Sequence, residues 1–299
     1  HSTCVEGTDG SLQCWGGLAD ASISEKAGGV LAGAEPRAVT LPWKPAWFIG
    51  DMALVEGRLY AVDLAETLTV SEGQAKLLES GVAAVAGVDG RYCITDKSRK
   101  LRCRDTGDPE WRVPTLAGVT DFAVVNEFEH GVCAVKSGKV QCVGAGSRWT
   151  TIRGVKDAAQ IEMNMLLACA RSKHGKVSCW EAAFFEGAFD MGEEYGDQGI
   201  SDAADIALGA GGYTEPNLLV RTNAGGMRLV SIEDDYDELL LERGVLEIAA
   251  GFEHACARID DDGDGVGDRL ECFGIDGIGQ LGKLGDHVMV QPIAVEFGG

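Results

Sequence analysis

Proline is scarce in this chain, with 7 residues among 299. No stretch of it therefore reads as a proline-rich linker or tail. Basic residues are scarce as well: 26 Lys and Arg stand against 47 Asp and Glu, for a net charge of −21. Phosphate backbones are bound by Lys and Arg that displace their counterions. Nucleic acid is therefore a poor partner, and anionic membranes are repelled for the same reason. Acidity of this degree suits solubility, divalent cations or basic partner surfaces. No apolar run approaches the roughly 18 residues of a spanning helix. No secretory leader is visible, although the chain opens at His1 inside a repeat unit, as expected where a leader has been removed. Nucleophile patterns such as GxSxG and HExxH are absent. Carboxylates are too numerous to single out a catalytic pair.

Glycine, by contrast, is abundant at 42 residues and has no collagen period. That distribution predicts many tight turns. The ten cysteines fall into local pairs: Cys4 and Cys14, Cys93 and Cys103, Cys133 and Cys142, Cys169 and Cys179, Cys256 and Cys272. Between the members of most pairs lies turn chemistry, such as Thr8-Asp9-Gly10, Ser137-Gly138-Lys139 and His174-Gly175-Lys176. Alternating residues flank these turns, which is the pattern of a β-hairpin. Each cysteine pair then occupies cross-strand positions, close enough to bridge. A helical hairpin with inter-helix bridges shows similar spacing, but glycine centres disfavour helix. Free buried thiols and zinc are weaker alternatives, since zinc needs two further ligands near each pair.

Spacings near forty residues predict a hidden repeat in each long gap between pairs. MALVEGRLYA (52–61) aligns on CAVKSGKVQC (133–142), with Met52 and Ala61 in the cysteine positions. LVRTNAGGMRL (219–229) aligns on CARSKHGKVSC (169–179), with Leu219 and Leu229 in those positions. Joint loss of both cysteines is what pairing within a repeat predicts. Hairpin cores are thus expected near 4–14, 52–61, 93–103, 133–142, 169–179, 219–229 and 256–272, within one domain over 1–299. Before each hairpin comes a turn and a small apolar strand, as in GVTDFAVV and GVLEIAA. IAVEFGG (293–299) supplies that strand without a hairpin, and HSTC at the start supplies a hairpin without the strand. The two ends are expected to complete one repeat and close a ring, removing exposed edges.

CFGIDGIGQLG (272–282) resembles the CWGxNxxGQLG signature of the regulator-of-chromosome-condensation repeat. HSTC, HAC and CWGG resemble the HxCAL and CWG elements of the same repeat. The resemblance covers essentially the whole chain and implies an all-β, seven-bladed β-propeller. It also implies protein binding, the commonest role in that family. The full signature is present once, and the other repeats have diverged. The nuclear branch works without disulfides, whereas bridges persist outside the reducing cytosol. The expected location is therefore secreted, periplasmic or on the cell surface, as in a secreted, β-lactamase-inhibiting branch of the family.

The last pair is stretched, with fifteen residues between Cys256 and Cys272. The insertion DDDGDGVGDRLE (260–271) fits the calcium pattern D-x-[DN]-x-[DN]-G-x5-E. Asp260, Asp262 and Asp264 take positions one, three and five, and Gly265 permits the sharp turn. The Val266 carbonyl, Asp268 and Glu271 complete an oxygen shell for calcium. The loop resembles those of EF-hands and dockerins but is flanked by strands, so a structural role is expected. A solvated acidic turn is the alternative.

Gly277, Gly279 and Gly282 spell GxGxxG, yet turn and strand follow rather than a helix, so no dinucleotide site is expected. His1, His130 and His254 recur just before first cysteines, which reads as packing rather than catalysis. Trp15 and Trp180 follow second cysteines and are expected to pack between blades; core packing is also favoured for Trp43, Trp47, Trp111 and Trp149. Two acidic insertions with aromatics, 186–205 and 233–242, are candidate binding loops. The expected function is an extracellular binding or adhesion module for a protein or glycan. The alternatives are a lyase or hydrolase at a central channel, or a subunit of a surface assembly.

Overall fold

In the computed structural model the described residues are 2–6, 12–16, 37–39, 41–49, 52–62, 75–88, 91–105, 113–125, 131–144, 148–164, 167–185, 188–209, 217–232, 236–251, 254–275 and 288–295. They form seven successive antiparallel sheets, in each of which consecutive strands are neighbours. Sheet I holds β1 (Ser2–Glu6), β2 (Leu12–Gly16) and β3 (Arg37–Val39). Sheet II holds β4 (Trp47–Ile49), β5 (Met52–Val55), β6 (Arg58–Ala61) and β7 (Lys76–Ser80). Sheet III holds β8 (Val82–Val88), β9 (Arg91–Asp96), β10 (Lys100–Asp105) and β11 (Leu116–Ala117). Sheet IV holds β12 (Val119–Val125), β13 (Gly131–Lys136), β14 (Lys139–Gly144) and β15 (Thr150–Thr151). Sheet V holds β16 (Ala158–Met163), β17 (Leu167–Ser172), β18 (Val177–Phe185) and β19 (Ala188–Asp197). Sheet VI holds β20 (Ala203–Leu208), β21 (Asn217–Thr222), β22 (Met227–Ser231) and β23 (Asp237–Leu241). Sheet VII holds β24 (Val245–Ala250), β25 (His254–Ile259), β26 (Arg269–Ile275) and β27 (Val288–Ala294).

The core lies between the sheets. Alternate side chains of a strand leave opposite faces, and both faces here are covered. In β13, Val132 and Ala134 pack towards sheet III, while Cys133 and Val135 pack towards sheet V. All four are fully buried. The alternation read around the turns therefore gives way, in strands such as β13, to a continuous small apolar run buried on both faces. Similar clusters fill the junctions of sheets I–II, II–III, V–VI and VI–VII.

In each sheet two adjacent strands carry the cysteine positions in direct opposition. Disulfides join Cys93 to Cys103, Cys133 to Cys142, Cys169 to Cys179 and Cys256 to Cys272. Their Cα atoms are 4.0–4.1 Å apart, the close kind of antiparallel pair. Cys4 faces Cys14 in the same register, and Cys14 is disulfide-bonded. Where the cysteines are missing, Met52 faces Ala61 and Leu219 faces Leu229. The tight turns at 56–57 and 137–138 have both residues at positive φ, as two-residue hairpin loops require. Gly138 is further constrained, because a Cβ there would lie 3.3 Å from the Asp157 backbone.

Three readings of the ends and insertions change. Residues 188–197 of the first acidic insertion are not a loop but the strand β19, paired along β18. Residues 237–241 of the second are the strand β23, paired with β22. At the C-terminus, Ile293 and Ala294 belong to β27, opposite Cys272 and Glu271. In all three cases the exposed edge of β18, β22 or β26 offers backbone partners that outweigh weak local strand propensity. Residues 296–299 and His1, on which the joined repeat depends, lie outside the described residues, as do Gly277, Gly279, Gly282, His130, His287 and Trp111.

Candidate functional site

The stretched hairpin β25–β26 closes at the Ile259–Arg269 pair, and residues 260–268 form its tip. The Asp260 N–H donates to the Gly244 carbonyl at 2.8 Å, tying the tip to the start of its own sheet. The Asp260 carboxylate accepts the Gly263 N–H at 2.6 Å and the Gly265 N–H at 2.8 Å. Two further Asp turns follow, Asp262 accepting the Asp264 N–H at 3.1 Å and Asp264 the Val266 N–H at 2.7 Å. Short Asp side chains hold such turns by bonding to backbone two residues on. Asp268 accepts the Asp261 N–H at 2.7 Å. Gly263 and Gly265 both have φ above 80°, which larger residues resist.

Carboxylate oxygens of Asp260, Asp262 and Asp268 lie within 4.8 Å of one another. These are positions one, three and nine of the calcium pattern. Asp264 is bonded to Val266, and Glu271 is ion-paired with Arg269, which also binds Asp261 at 2.7 Å. The donor set is hard oxygen throughout and suits calcium; completing it requires Glu271 to leave Arg269. The Gly265 N–H bond leads the causes that hold Asp260 below the usual carboxylate range. The Asp264 N–H bond would lower Asp262 too, but the neighbouring charges of Asp264, Asp268 and Asp260, with some burial, push it up. A cation relieves that repulsion.

A second carboxylate cluster lies on the first strands of sheets IV, V and VI. Each of β8, β12, β16, β20 and β24 carries a bulge at the same place. The residues after the skip are Ala84, Asp121, Gln160, Asp205 and Glu247. Asp121 accepts the Ile161 N–H of the next sheet at 2.7 Å. Gln160 repeats the contact one sheet on, accepting the Ile206 N–H at 3.2 Å. Its amide donates to Asp205 at 2.8 Å and to Glu162 at 3.2 Å, and Arg171 bonds its oxygen at 2.9 Å. These side chains latch one sheet to the next. Burial pushes Asp121 up to about 6 and Glu162 up to about 8, the latter aided by the Asp121 charge. The sequence reading missed this network. Its signal was present in GVTD and GVLE, where a polar residue breaks a small apolar strand at the same offset, whereas in GVKDAAQ the equivalent Gln160 stands three residues further on.

Among the expected packing residues, Trp180 is buried between sheets IV and V. Trp43 stacks on Tyr60 with centroids 4.5 Å apart, and the Trp149 indole donates to the Pro114 carbonyl at 2.7 Å. His254 is buried, and burial pulls it down to about 4. Its ring covers Gly251, where a Cβ would meet it at 2.5 Å.

No protein-family model matches the chain, and no curated protein matches it in sequence. Solved structures do. Prp20p from Saccharomyces cerevisiae, described with its binding to Gsp1p and histones, superposes with a TM-score of 0.67 at 14% identity, over 95% of this chain and 85% of that one. Yeast RCC1 (Prp20) bound to Kap60 gives 0.61 at 13% identity, over 95% and 83%. Human WBSCR16 gives 0.60 at 12% identity, over 88% and 84%. The fold is a β-propeller like that of RCC1.

In this propeller the fourth strand of each of sheets II to VII is a free edge. On sheet VI that edge is β23, where Leu239 is 55% exposed and Tyr236, just before the strand, 43%. Asp237 and Glu238 flank them. On sheet V the edge is β19, AFDMGEEYGD, also acidic. The β23 edge thus presents carboxylates with apolar residues among them.

Proposed function

We propose that this protein is a protein-binding β-propeller working outside the reducing cytosol, as one ring of seven blades over residues 1–299. The observation that carries binding is the edge strand β23, with Leu239 and Tyr236 exposed among carboxylates. Exposed apolar residues rimmed by charge mark interaction surfaces. The partner it suits has an apolar centre ringed by Lys or Arg. The propellers it resembles in fold bind Gsp1p, histones and Kap60, and such a scaffold serves unrelated partners through its surface residues. Four disulfides within short hairpins support an oxidising location.

Ring closure is proposed at sheet I. Every other sheet has a strand ahead of its cysteine-position strand, whereas β1 itself carries Cys4. In the proposed ring, residues 296–299 fill that place. Calcium is proposed at the β25–β26 tip, bound by Asp260, Asp262, Asp264, the Val266 carbonyl, Asp268 and Glu271, as a stiffener of a projecting hairpin.

The test is capture from extracellular and envelope fractions by wild type and by the Tyr236→Ala/Leu239→Asp variant, each with calcium and with chelator. A partner retained by wild type and lost with the variant supports the reading. Equal capture by both removes β23 from the interface.

A further inference from the structure

Between sheets IV and V lies a crevice of about 520 Å³, within the range of small-molecule sites. Its floor is the face of sheet V that looks towards sheet IV, with Ala170, Ser178 and Trp180. Its wall is the connector 152–157, which leaves β15 and enters β16. The Ile152 N–H bonds to Val140 at 2.9 Å and the Ala158 N–H to Gly138 at 3.0 Å. The connector is thus pinned at both ends. Gly196 and Asp197 of β19 also line it, and the pairing of β19 with β18 shifts register on both sides of Trp180.

Three observations point to what this crevice takes. First, the molecule is strongly anionic, yet Arg153, Lys156 and Lys176 line this one crevice, with His174 beside them. The acidic groups facing them are Asp157 and Asp197, and Lys176 lies 3.9 Å from Asp197 across an exposed gap. Arg153 and Lys156 make no ion pair among the described residues and are exposed to an incoming ligand. Second, the interior is apolar, from Ile152, Val155, Ala170 and the Trp180 ring. Third, the Trp180 indole N–H, on a side chain only 1% exposed, has no hydrogen-bond partner among the described residues. A buried donor without an acceptor costs about 1–3 kcal/mol, and a ligand oxygen would relieve it.

We propose that this crevice is a binding site for a small organic carboxylate with an aromatic or apolar body. The ring lies against Ile152 and Val155, and the carboxylate meets Arg153 and Lys156 with one oxygen turned to the Trp180 indole N–H. The site is separate from β23 and does not rest on the protein-binding reading.

The probe is 3-phenylpropanoate, with 3-phenylpropanamide as its uncharged isostere, titrated by calorimetry and by ligand-observed saturation-transfer NMR. We expect the acid to bind in the millimolar range or tighter, and the amide about tenfold or more weaker. Arg153→Gln with Lys156→Gln, both exposed, leaves the unfolding temperature in place and weakens the acid about tenfold or more. Trp180→Phe keeps an aromatic ring, removes the donor and weakens acid and amide alike, because both carry an oxygen that accepts from the indole N–H. Equal binding of acid and amide overturns the proposal. So does undiminished binding to the double variant, or no binding by the acid at about 10 mM. A phenylalanine-terminated peptide that binds through its free C-terminal carboxylate while the free acid does not also overturns it, in favour of a peptide site.

Discussion

Two carboxylate clusters in this protein have opposite physics. At the β25–β26 tip, Asp260, Asp262 and Asp268 are brought together at the surface, with backbone N–H groups aimed at their oxygens. On the inner strands, Asp121 and Glu162 are drawn out of water, Asp121 tied to the next sheet and Glu162 to Gln160 of its own strand. At the tip, hydrogen bonds and solvent keep the groups charged, so the remaining repulsion favours a cation. Inside, desolvation disfavours charge, so the groups favour a proton. Equal density of acidic residues thus produces a candidate metal site in one place and a hydrogen-bonded latch in the other. What separates them is access to water and the direction of nearby N–H groups.

The largest expected effect is from calcium. At free calcium about 100 times its Kd, stability rises by about 2.7 kcal/mol, or roughly 5 °C in unfolding temperature. Asp262→Ala with Glu271→Ala abolishes the rise, read by thermal unfolding and calorimetry. An unfolding temperature that is the same in calcium and in chelator removes the ion from the tip. Glu162→Gln retains the calcium response, and loss of it would show that the clusters are coupled.

Next is Glu162→Gln itself. Asp121 and Glu162 titrate at about 6 and about 8 in the folded chain, above the ordinary 3.8 and 4.5. The folded state therefore binds more protons between those limits. Their contribution is greatest at low pH and is lost as pH rises towards 8. The variant is expected to be more stable than wild type at pH 8.5 by about 2 kcal/mol and nearly equal at pH 5. A difference that does not change with pH would mean that Glu162 is charged throughout.

His254 runs the other way. Its value falls from 6.5 to about 4 on folding, so the unfolded chain binds the extra proton. Stability from this group is full above pH 6.5 and falls as pH drops towards 4, by about 1 kcal/mol or more. Denaturant titrations of wild type against His254→Gln between pH 7 and 4 isolate this slope, because Asp121 titrates alike in both; a difference that does not change with pH would place His254 in contact with water. The smallest stability effect belongs to Leu239→Asp, expected within about 0.5 kcal/mol of wild type, while partner capture is lost.

Much of the repeat pattern could be read from particular residues. Cysteines at 133 and 142 around Ser137-Gly138, and Met52 and Ala61 in the same offset, reveal the hairpins because a two-residue turn fixes cross-strand register. The Asp260 tip was legible for the same reason, since the contacts of its carboxylates fall within nine residues. The edge strands were less so. β19 and β23 are glycine-rich or charged, and only the free edges of β18 and β22 make them strands. The latch from Asp121 to Ile161 and from Gln160 to Ile206 spans 40 and 46 residues, a distance no local pattern encodes.

Local chemistry alone thus determined the hairpins, the opposed cysteine positions and the acidic loop, because each depends on residues within one turn of chain. Tertiary structure decided which acids are wet and which are dry, and which strands become edges. It also decided that Arg153, Lys156 and Trp180 meet in one crevice. Those outcomes depend on how one sheet packs against the next, where solvent is excluded and backbone partners are supplied from outside the local segment.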